Sequence, residues 1–121
     1  MSRTVLLVDD EPDVLFATCV ALRAMGYSVI AAAEGREGLE LAETCEPDAI
    51  LLDLRMPGVD GWSVLEELRA KGTSSRVPVI VLSAHADPSA VERSIQLGAS
   101  GYVRKPFRAA ELAGALERVL A

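Results

Sequence analysis

Short runs of consecutive hydrophobic residues alternate along this chain with longer stretches in which hydrophobic residues recur every three or four positions. The clearest runs are Val5–Val8, Ile50–Leu52 and Val79–Leu82, and weaker ones are Tyr27–Ala32 and Gly101–Val103. An uninterrupted apolar run of this length is typical of a strand that is buried on both faces of a parallel sheet. The pattern therefore predicts five buried strands.

The stretches between these runs have the spacing of amphipathic helices. The clearest begins near Arg108 and places four apolar residues on one face, namely Leu112, Leu116, Val119 and Leu120. Proline suits the first turn of a helix, aspartate caps its start, and glycine follows its last turn. On this basis we expect helix starts at Pro12 and Pro88, caps at Asp60 and Asp87, and helix ends at Gly26, Gly72 and Gly98. Pro47 ends the second helix.

Strict alternation of strand and helix implies right-handed crossovers and a parallel sheet that is covered on both faces. Five units are too few for an eight-stranded barrel, so the expected fold is an open, doubly wound α/β sandwich of the (βα)5 type. With 121 residues and no low-complexity segment, we expect residues 1–121 to form one domain. Ligands of such folds bind at the carboxyl ends of the strands.

Composition excludes some kinds of partner. The net charge of −6 argues against direct binding to nucleic acid and against docking on an anionic membrane, both of which require a basic surface. No apolar run is long enough to span a membrane and no signal peptide is visible, so we expect a cytoplasmic location. Cys19 and Cys45 lie on predicted helices without a CxxC motif, and we interpret both as small, reduced core residues.

Polar residues of useful chemistry follow four of the predicted strands. Asp9 and Asp10 come after the first strand, Asp53 after the third, Ser83 after the fourth and Lys105 after the fifth. In a parallel sheet these ends meet at one edge. Three carboxylates about 5 Å apart repel one another by roughly 3 kcal/mol per pair at an effective dielectric near 20, so they require a neutralising partner.

Lys105 is one such partner and a hard cation is another. Two or three carboxylates in an open site fit Mg²⁺ better than Ca²⁺, and the twelve-residue calcium loop is absent. A carboxylate can also attack a phosphoryl group, with a lysine, a hydroxyl and a metal stabilising the transferring oxygens. The residues thus indicate magnesium-dependent phosphoryl chemistry.

Four motifs carry a resemblance that covers the whole chain: VLLVDDEP (5–12), DAILLDLRMPGVDG (48–61), VIVLSAH (79–85) and GYVRKPF (101–107). Together they resemble the receiver domains of two-component response regulators, and in particular those of the nitrogen-regulation type. The resemblance implies a flavodoxin-like fold with strand order 2-1-3-4-5. It also implies a signalling domain rather than an enzyme, with intrinsic magnesium-dependent autophosphorylation and autodephosphorylation.

The resemblance also implies a role for each site residue. Asp53 is expected to be the phosphoacceptor, with Ser83 and Lys105 contacting the phosphoryl oxygens. Asp10 is expected to bind Mg²⁺ directly, Asp9 largely through water, and Asp53 and the backbone carbonyl of Arg55 to complete the protein ligands. The Lys105–Pro106 peptide bond is expected to be cis.

The expected output is a change of shape. Ser83 would move toward the phosphoryl group and Tyr102, the switch aromatic, would fill the vacated space, which repacks the predicted fourth helix, fifth strand and fifth helix. Tyr102 could equally be an ordinary half-buried strand residue, His85 a rim residue or a neutral loop residue, and Trp62 part of the core or a partner contact. Expected partners are a sensor histidine kinase or phosphotransfer protein and an unidentified effector domain or protein, with homodimerisation left open.

Two other function classes fit parts of the pattern. A haloacid-dehalogenase-type hydrolase needs a second aspartate two residues after the nucleophile, where this chain has Arg55. A pseudo-receiver, which binds partners without being phosphorylated, would be favoured if Asp53 or Lys105 were missing, but both are present. Neither phosphate-binding glycine motif of nucleotide-binding proteins follows the first strand. The chain could be a single-domain regulator or part of a longer protein.

Overall fold

The computed structural model describes residues 3–54, 60–84 and 88–121, and these residues form a parallel sheet between two layers of helices. The strands are β1 (Thr4–Val8), β2 (Ser28–Ala32), β3 (Ala49–Asp53), β4 (Val79–Ser83) and β5 (Gly101–Arg104). Their order across the sheet is β2-β1-β3-β4-β5, and every neighbouring pair is parallel. The predicted doubly wound α/β fold and its strand order are confirmed.

The helices in the described residues are α1 (Pro12–Ala24), α2 (Gly35–Thr44), α3 (Gly61–Ala70), α4 (Thr73–Arg76), α5 (Pro88–Gln96) and α6 (Ala109–Leu120). Five of them correspond to the predicted helices. The four-residue helix α4 was not predicted, because its sequence TSSR has no apolar periodicity. The helices called fourth and fifth in the prediction are therefore α5 and α6.

The core has two halves, one on each face of the sheet. Side chains alternate along β1, so that Leu6 and Val8 face one half while Val5 and Leu7 face the other. Helices α2 and α3 cover the first half, and α1 and α6 cover the second. All five positions of β3 and of β4 are buried, which explains their continuous apolar runs and places their carboxyl ends deep in the domain.

Most of the predicted helix boundaries are confirmed. Pro12 lies in the first turn of α1, and the Asp60 carboxylate accepts a hydrogen bond of 2.8 Å from the Ser63 amide at the start of α3. Gly26, Gly72 and Gly98 all have positive φ values, as expected of residues that end helices. The predicted cap Asp87 lies outside the described residues.

The prediction for the cysteines is right for one residue and wrong for the other. Cys19 is buried on α1, whereas Cys45 is exposed, because α2 ends at Thr44 and Cys45 caps it outside the core. Both thiols are free. In the parts of the chain that the structure describes, no helix is long and apolar enough to cross a membrane.

Candidate phosphoacceptor site

The site lies at the topological switch point of the sheet, where the strand order changes direction. Strands β1 and β3 are neighbours, and β2 lies on one side of this pair while β4 and β5 lie on the other. The helices that follow β1 and β3 therefore diverge and leave a crevice at their carboxyl ends. Asp9 directly follows β1, and Asp53 is the last residue of β3 rather than the first residue after it.

Three carboxylates converge in this crevice. Asp9, Asp10 and Asp53 each offer an oxygen, and these oxygens lie within 4.8 Å of one another. Asp9 and Asp53 are each only 1% exposed, and Asp10 is partly buried. Strands β1 and β3 bring the aspartates together, because they pair in parallel with Val8 opposite Leu52.

Lys105 supplies a positive charge to two of these carboxylates. Its Nζ lies 2.9 Å from Oδ2 of Asp53 and 3.4 Å from Oδ2 of Asp9. The backbone holds it there, since the Lys105 amide donates a 2.8 Å hydrogen bond to the Ser83 carbonyl. The Lys105–Pro106 peptide bond is cis, as expected. Burial alone would lower the pKa of Lys105, but the hydrogen bond and charge of Asp53, together with Asp9, raise it.

Asp9 is held by backbone as well as by charge. Its amide donates to the Ala32 carbonyl at 3.0 Å, and its Oδ1 accepts a 3.0 Å hydrogen bond from the Glu11 amide. Burial raises the pKa of Asp9 above its ordinary value of 3.8, and the nearby negative charge of Asp53 adds to this. The Glu11 hydrogen bond and the positive charge of Lys105 act in the opposite direction. The hydrogen bond from Glu11 and the charge of Lys105 therefore offset only part of the cost of burying the Asp9 carboxylate.

One carboxylate oxygen of the cluster is suited to binding a cation. Oδ1 of Asp10 is buried and has no hydrogen-bond partner among the described residues. A buried carboxylate oxygen without a partner is costly, and a hard cation would satisfy it. The three carboxylates and this unpaired oxygen fit Mg²⁺, which is usually bound through a few carboxylates with several waters retained.

The two predicted switch residues lie on neighbouring strands. Ser83 ends β4 and is fully buried, while Tyr102 on β5 is half-buried against the core half that α2 and α3 cover. Tyr102 lies opposite Val81, two residues before Ser83, so that Ser83 and Tyr102 face the same side of the sheet. The assignment of Ser83 and Tyr102 as a switch pair stays a prediction.

Three predicted residues lie elsewhere or cannot be placed. Arg55, the expected backbone ligand, and His85, the expected rim residue, lie outside the described residues. Trp62 is half-buried on α3, and the guanidinium carbon of Arg93 lies 4.2 Å from the centroid of its ring. This cation–π contact joins α3 to α5, so Trp62 connects the helix after the acceptor strand to the helix of the predicted switch.

Two features of the site were not predicted from the sequence. A cavity of about 570 Å³ opens beside Lys105 and Ala84, between α1 and the segment from Lys105 to Ala109. Its walls come from segments far apart in the chain, so no local pattern signals it. The second feature is Gly61, whose backbone lies against the backbone of Asp53 and Leu54. The sequence identifies Gly61 as the glycine after the helix cap Asp60, but it does not predict the close contact between Gly61 and the end of β3.

The comparisons with known proteins agree with this geometry. Residues 5–117 match the model of the response regulator receiver domain family. The chain belongs to this family. Among its relatives are the transcriptional regulatory protein PrrA of Mycobacterium tuberculosis, 42% identical over 98% of this chain and 50% of PrrA, and CseB of Streptomyces coelicolor, 41% identical over 96% of this chain and 48% of CseB. The chain thus spans about half the length of these curated relatives.

Solved structures give the same result for the receiver fold. The chemotaxis protein CheY4 of Vibrio cholerae matches with a TM-score of 0.92 and 31% identity, over 99% of this chain and all of that one. The receiver domain of the sensor histidine kinase PA1611 of Pseudomonas aeruginosa matches with a TM-score of 0.90 and 38% identity, over 99% of this chain and 98% of its own. In that structure a magnesium ion is coordinated in the active-site cleft. The chain is thus a receiver domain of the kind found in two-component response regulators.

Proposed function

We propose that this receiver accepts a phosphoryl group on Asp53 from a histidine kinase or a phosphotransfer protein. The observation that carries the proposal is the ion pair at the end of β3, where Oδ2 of the buried Asp53 lies 2.9 Å from Nζ of Lys105. Two further carboxylates lie beside it within 4.8 Å. A buried, charged nucleophile with a cation and an acidic cluster around it is the arrangement that phosphoryl transfer to a carboxylate needs.

In the transfer step a carboxylate oxygen of Asp53 forms a bond to phosphorus, while the bond between phosphorus and the donor's imidazole nitrogen breaks. The imidazole nitrogen keeps the electron pair of the broken bond, and the product is an acyl phosphate on Asp53. Lys105 already contacts Asp53 and stabilises the negative charge on the transferring oxygens. The Ser83 hydroxyl donates to one of them.

We further propose that Asp9, Asp10, Asp53 and the carbonyl of Arg55 hold Mg²⁺, with Asp9 acting mainly through water. When bound, the ion supplies positive charge that offsets the crowded carboxylates and polarises the phosphoryl oxygens. Oδ1 of Asp10 supports this assignment, because it is buried without a hydrogen-bond partner among the described residues and a hard cation would satisfy it. The same site chemistry would support slow autophosphorylation from small donors and autodephosphorylation.

The response to phosphorylation would then pass from Ser83 to Tyr102. Phosphorylation adds about two negative charges at the sheet edge, and the new oxygens attract the Ser83 hydroxyl. Tyr102 lies on the same face of the sheet, where it can occupy the space that Ser83 leaves. The surface formed by α5, β5 and α6 would have two conformations in equilibrium, and the phosphoryl group would shift that equilibrium toward one of them.

The remaining assignments are also proposals. We propose a single receiver unit over residues 1–121, a cytoplasmic location, and an effector domain or protein as the recipient of the signal. The finer likeness to nitrogen-regulation receivers stays a prediction. The alternative function is a pseudo-receiver that acts as an interaction module without phosphorylation, and the test below distinguishes the two.

The test is the intact mass of the protein after incubation with acetyl phosphate or phosphoramidate, with Mg²⁺ and then with a chelator. We expect one phosphoryl addition that requires Mg²⁺ and is absent from Asp53→Asn. Glu40→Gln is the control, because Glu40 is an exposed carboxylate on α2, away from the strand ends that form the site. A modified Asp53→Asn would refute the acceptor assignment, and no addition to the wild type under any condition would favour the pseudo-receiver.

A further inference from the structure

Gly61, the first residue of α3, lies directly behind the proposed acceptor. We propose that Gly61 is a positioning residue for Asp53, because its missing side chain lets the start of α3 press against the backbone of Asp53 and Leu54. The proposal rests on the proposed function of Asp53. It concerns how the acceptor is held in place and involves no contact between Gly61 and the phosphoryl group.

The distances show how close this contact is. A Cβ atom built on Gly61 would lie 2.3 Å from Cα of Leu54 and 2.6 Å from the carbonyl oxygen of Asp53. Ordinary van der Waals contact begins at about 3.4 Å, so the nearest contact is about 1 Å too short. Both neighbours are backbone atoms, which cannot rotate away as a side-chain tip can. For comparison, the nearest atoms to a Cβ on Gly38 belong to the side chain of Val8, and a Cβ on Gly114 would have no atom of the described residues within 4 Å.

The acceptor side of the contact has little freedom to move. The Leu54 amide donates a 3.2 Å hydrogen bond to the Leu82 carbonyl on β4, and the Leu54 carbonyl accepts a 3.1 Å hydrogen bond from the Gly61 amide. The Leu54 side chain is 6% exposed and belongs to the core. Leu54 is therefore tied both to the sheet and to the start of α3.

The helix side is equally constrained. Three apolar residues of α3 are almost completely buried, namely Val64, Leu65 and Leu68. The cap Asp60, one residue before Gly61, is fixed by its hydrogen bond to the Ser63 amide. An alanine at position 61 must therefore displace either the packed helix or the end of β3.

A displaced end of β3 would move Asp53 relative to Lys105, which is fixed separately by its hydrogen bond to Ser83 on β4. The ion pair of 2.9 Å and the carboxylate cluster would both change. A misplacement of about 1 Å in a reacting group can lower a rate by roughly 100-fold. The absence of a side chain at position 61 thus sets the geometry of the acceptor.

The experiment compares Gly61→Ala with two controls in the same chain. Val64→Ala removes buried atoms from the same helix without adding one near Asp53, and Gly114→Ala adds a methyl group on α6 where space is open. For each variant, circular dichroism measures folding, and intact mass measures the rate of phosphorylation by acetyl phosphate at saturating Mg²⁺. Isothermal titration calorimetry measures the Kd for Mg²⁺. The rate is compared only under conditions in which each variant is fully folded.

We expect Gly61→Ala to fold but to be phosphorylated about 10- to 100-fold more slowly, with a raised Kd for Mg²⁺, because Asp53 is displaced. The two controls should stay within about 2-fold of the wild-type rate, since neither moves the reacting groups. A folded Gly61→Ala with wild-type rate and Mg²⁺ affinity would overturn the proposal. So would an equal loss in Val64→Ala, which would show that a general loosening of α3 is sufficient.

Two further arms keep the test decisive. If wild type itself is not phosphorylated, the proposed function fails, and the Kd for Mg²⁺ alone then tests whether Gly61 positions Asp53. If Gly61→Ala does not fold, replacement of Gly61 by glycolic acid removes the amide donor to Leu54 and adds no atom. We expect this ester to slow phosphorylation several-fold, because the lost hydrogen bond loosens the contact between the start of α3 and Leu54. An unchanged rate and Mg²⁺ affinity would show that this contact does not position Asp53 and would overturn the proposal.

Discussion

Replacing Asp10 by asparagine should make the metal-free protein more stable, although it removes a residue from the centre of the site. Asp10 adds a third negative charge to the cluster, and its Oδ1 is buried without a hydrogen-bond partner among the described residues. Lys105 lies within salt-bridge distance of Asp9 and Asp53, so Asp10 gains little from it. The substitution therefore removes repulsion and sacrifices no contact of that oxygen.

The size of the effect follows from the geometry. Two like charges 4.8 Å apart repel by about 3 kcal/mol at an effective dielectric near 20. Asp10 takes part in two such pairs, but it is only partly buried, and solvent screens much of the repulsion. We expect a net gain of about 1–2 kcal/mol in the free energy of unfolding, or roughly 4–8 °C in Tm.

The assay is urea unfolding in a chelator and then over a range of Mg²⁺ concentrations. Wild type should gain about 2.7 kcal/mol when Mg²⁺ is present at 100 times its Kd, and Asp10→Asn should lose most of that gain. Asp13→Asn removes the same charge from the exposed first turn of α1 and should cost a few tenths of a kcal/mol, with the Mg²⁺ response intact. The reasoning is wrong if Asp10→Asn is less stable than wild type in the chelator, or if it responds to Mg²⁺ as wild type does.

Three shorter predictions concern other parts of the domain. Tyr102→Ala should be phosphorylated normally, but phosphorylation should then change the conformation of α5 and α6 less than it does in the wild type. If the difference in hydrogen exchange between the free and phosphorylated forms is the same in this variant as in the wild type, the prediction is wrong. Burial raises the pKa of Asp9 above 3.8, so the folded chain binds the proton of the Asp9 carboxyl group more tightly than the unfolded chain does. In a chelator, the stability that this proton contributes is therefore lost as pH rises from about 4. The free energy of unfolding of Asp9→Asn should decline less with pH over that range. Burial also raises the pKa of the Cys19 thiol, so mass spectrometry should find iodoacetamide at the exposed Cys45 first, and equal rates would contradict the burial.

The strands were predictable because a strand that is buried on both faces has an uninterrupted run of apolar residues in its sequence. Strands β3 and β4 have no exposed position, so their apolar runs contain no polar interruption and locate the strands to within one or two residues. Helix α4 has no recognisable sequence pattern, because a single turn of polar residues has no apolar periodicity. Cys45 was misplaced for a related reason: a helix pattern does not show that the helix ends one residue before it.

The site was predictable as a set of residue types at strand ends, but its contacts were not. Asp9 and Asp53 lie at the carboxyl ends of two strands that pair in parallel, so they are close together regardless of how the helices pack. Both positions can be recognised in the sequence, because each aspartate follows an apolar run. The short backbone contact between Gly61 and Leu54 depends on how α3 packs against the sheet. Contacts of that kind join segments that no local pattern relates, so only coordinates reveal them.

The instability of the cluster and its affinity for a cation have one physical origin. Repulsion among Asp9, Asp10 and Asp53 raises the free energy of the metal-free state, and a bound cation would recover that free energy. A substitution that relieves the repulsion should therefore stabilise the fold in a chelator and weaken Mg²⁺ binding, because it removes free energy that a bound cation would recover. The acidic edge of the sheet is thus a part of the fold whose stability is lowered in a way that favours ligand binding. A substitution at Gly61 would break this relation, since it would weaken Mg²⁺ binding without relieving the repulsion.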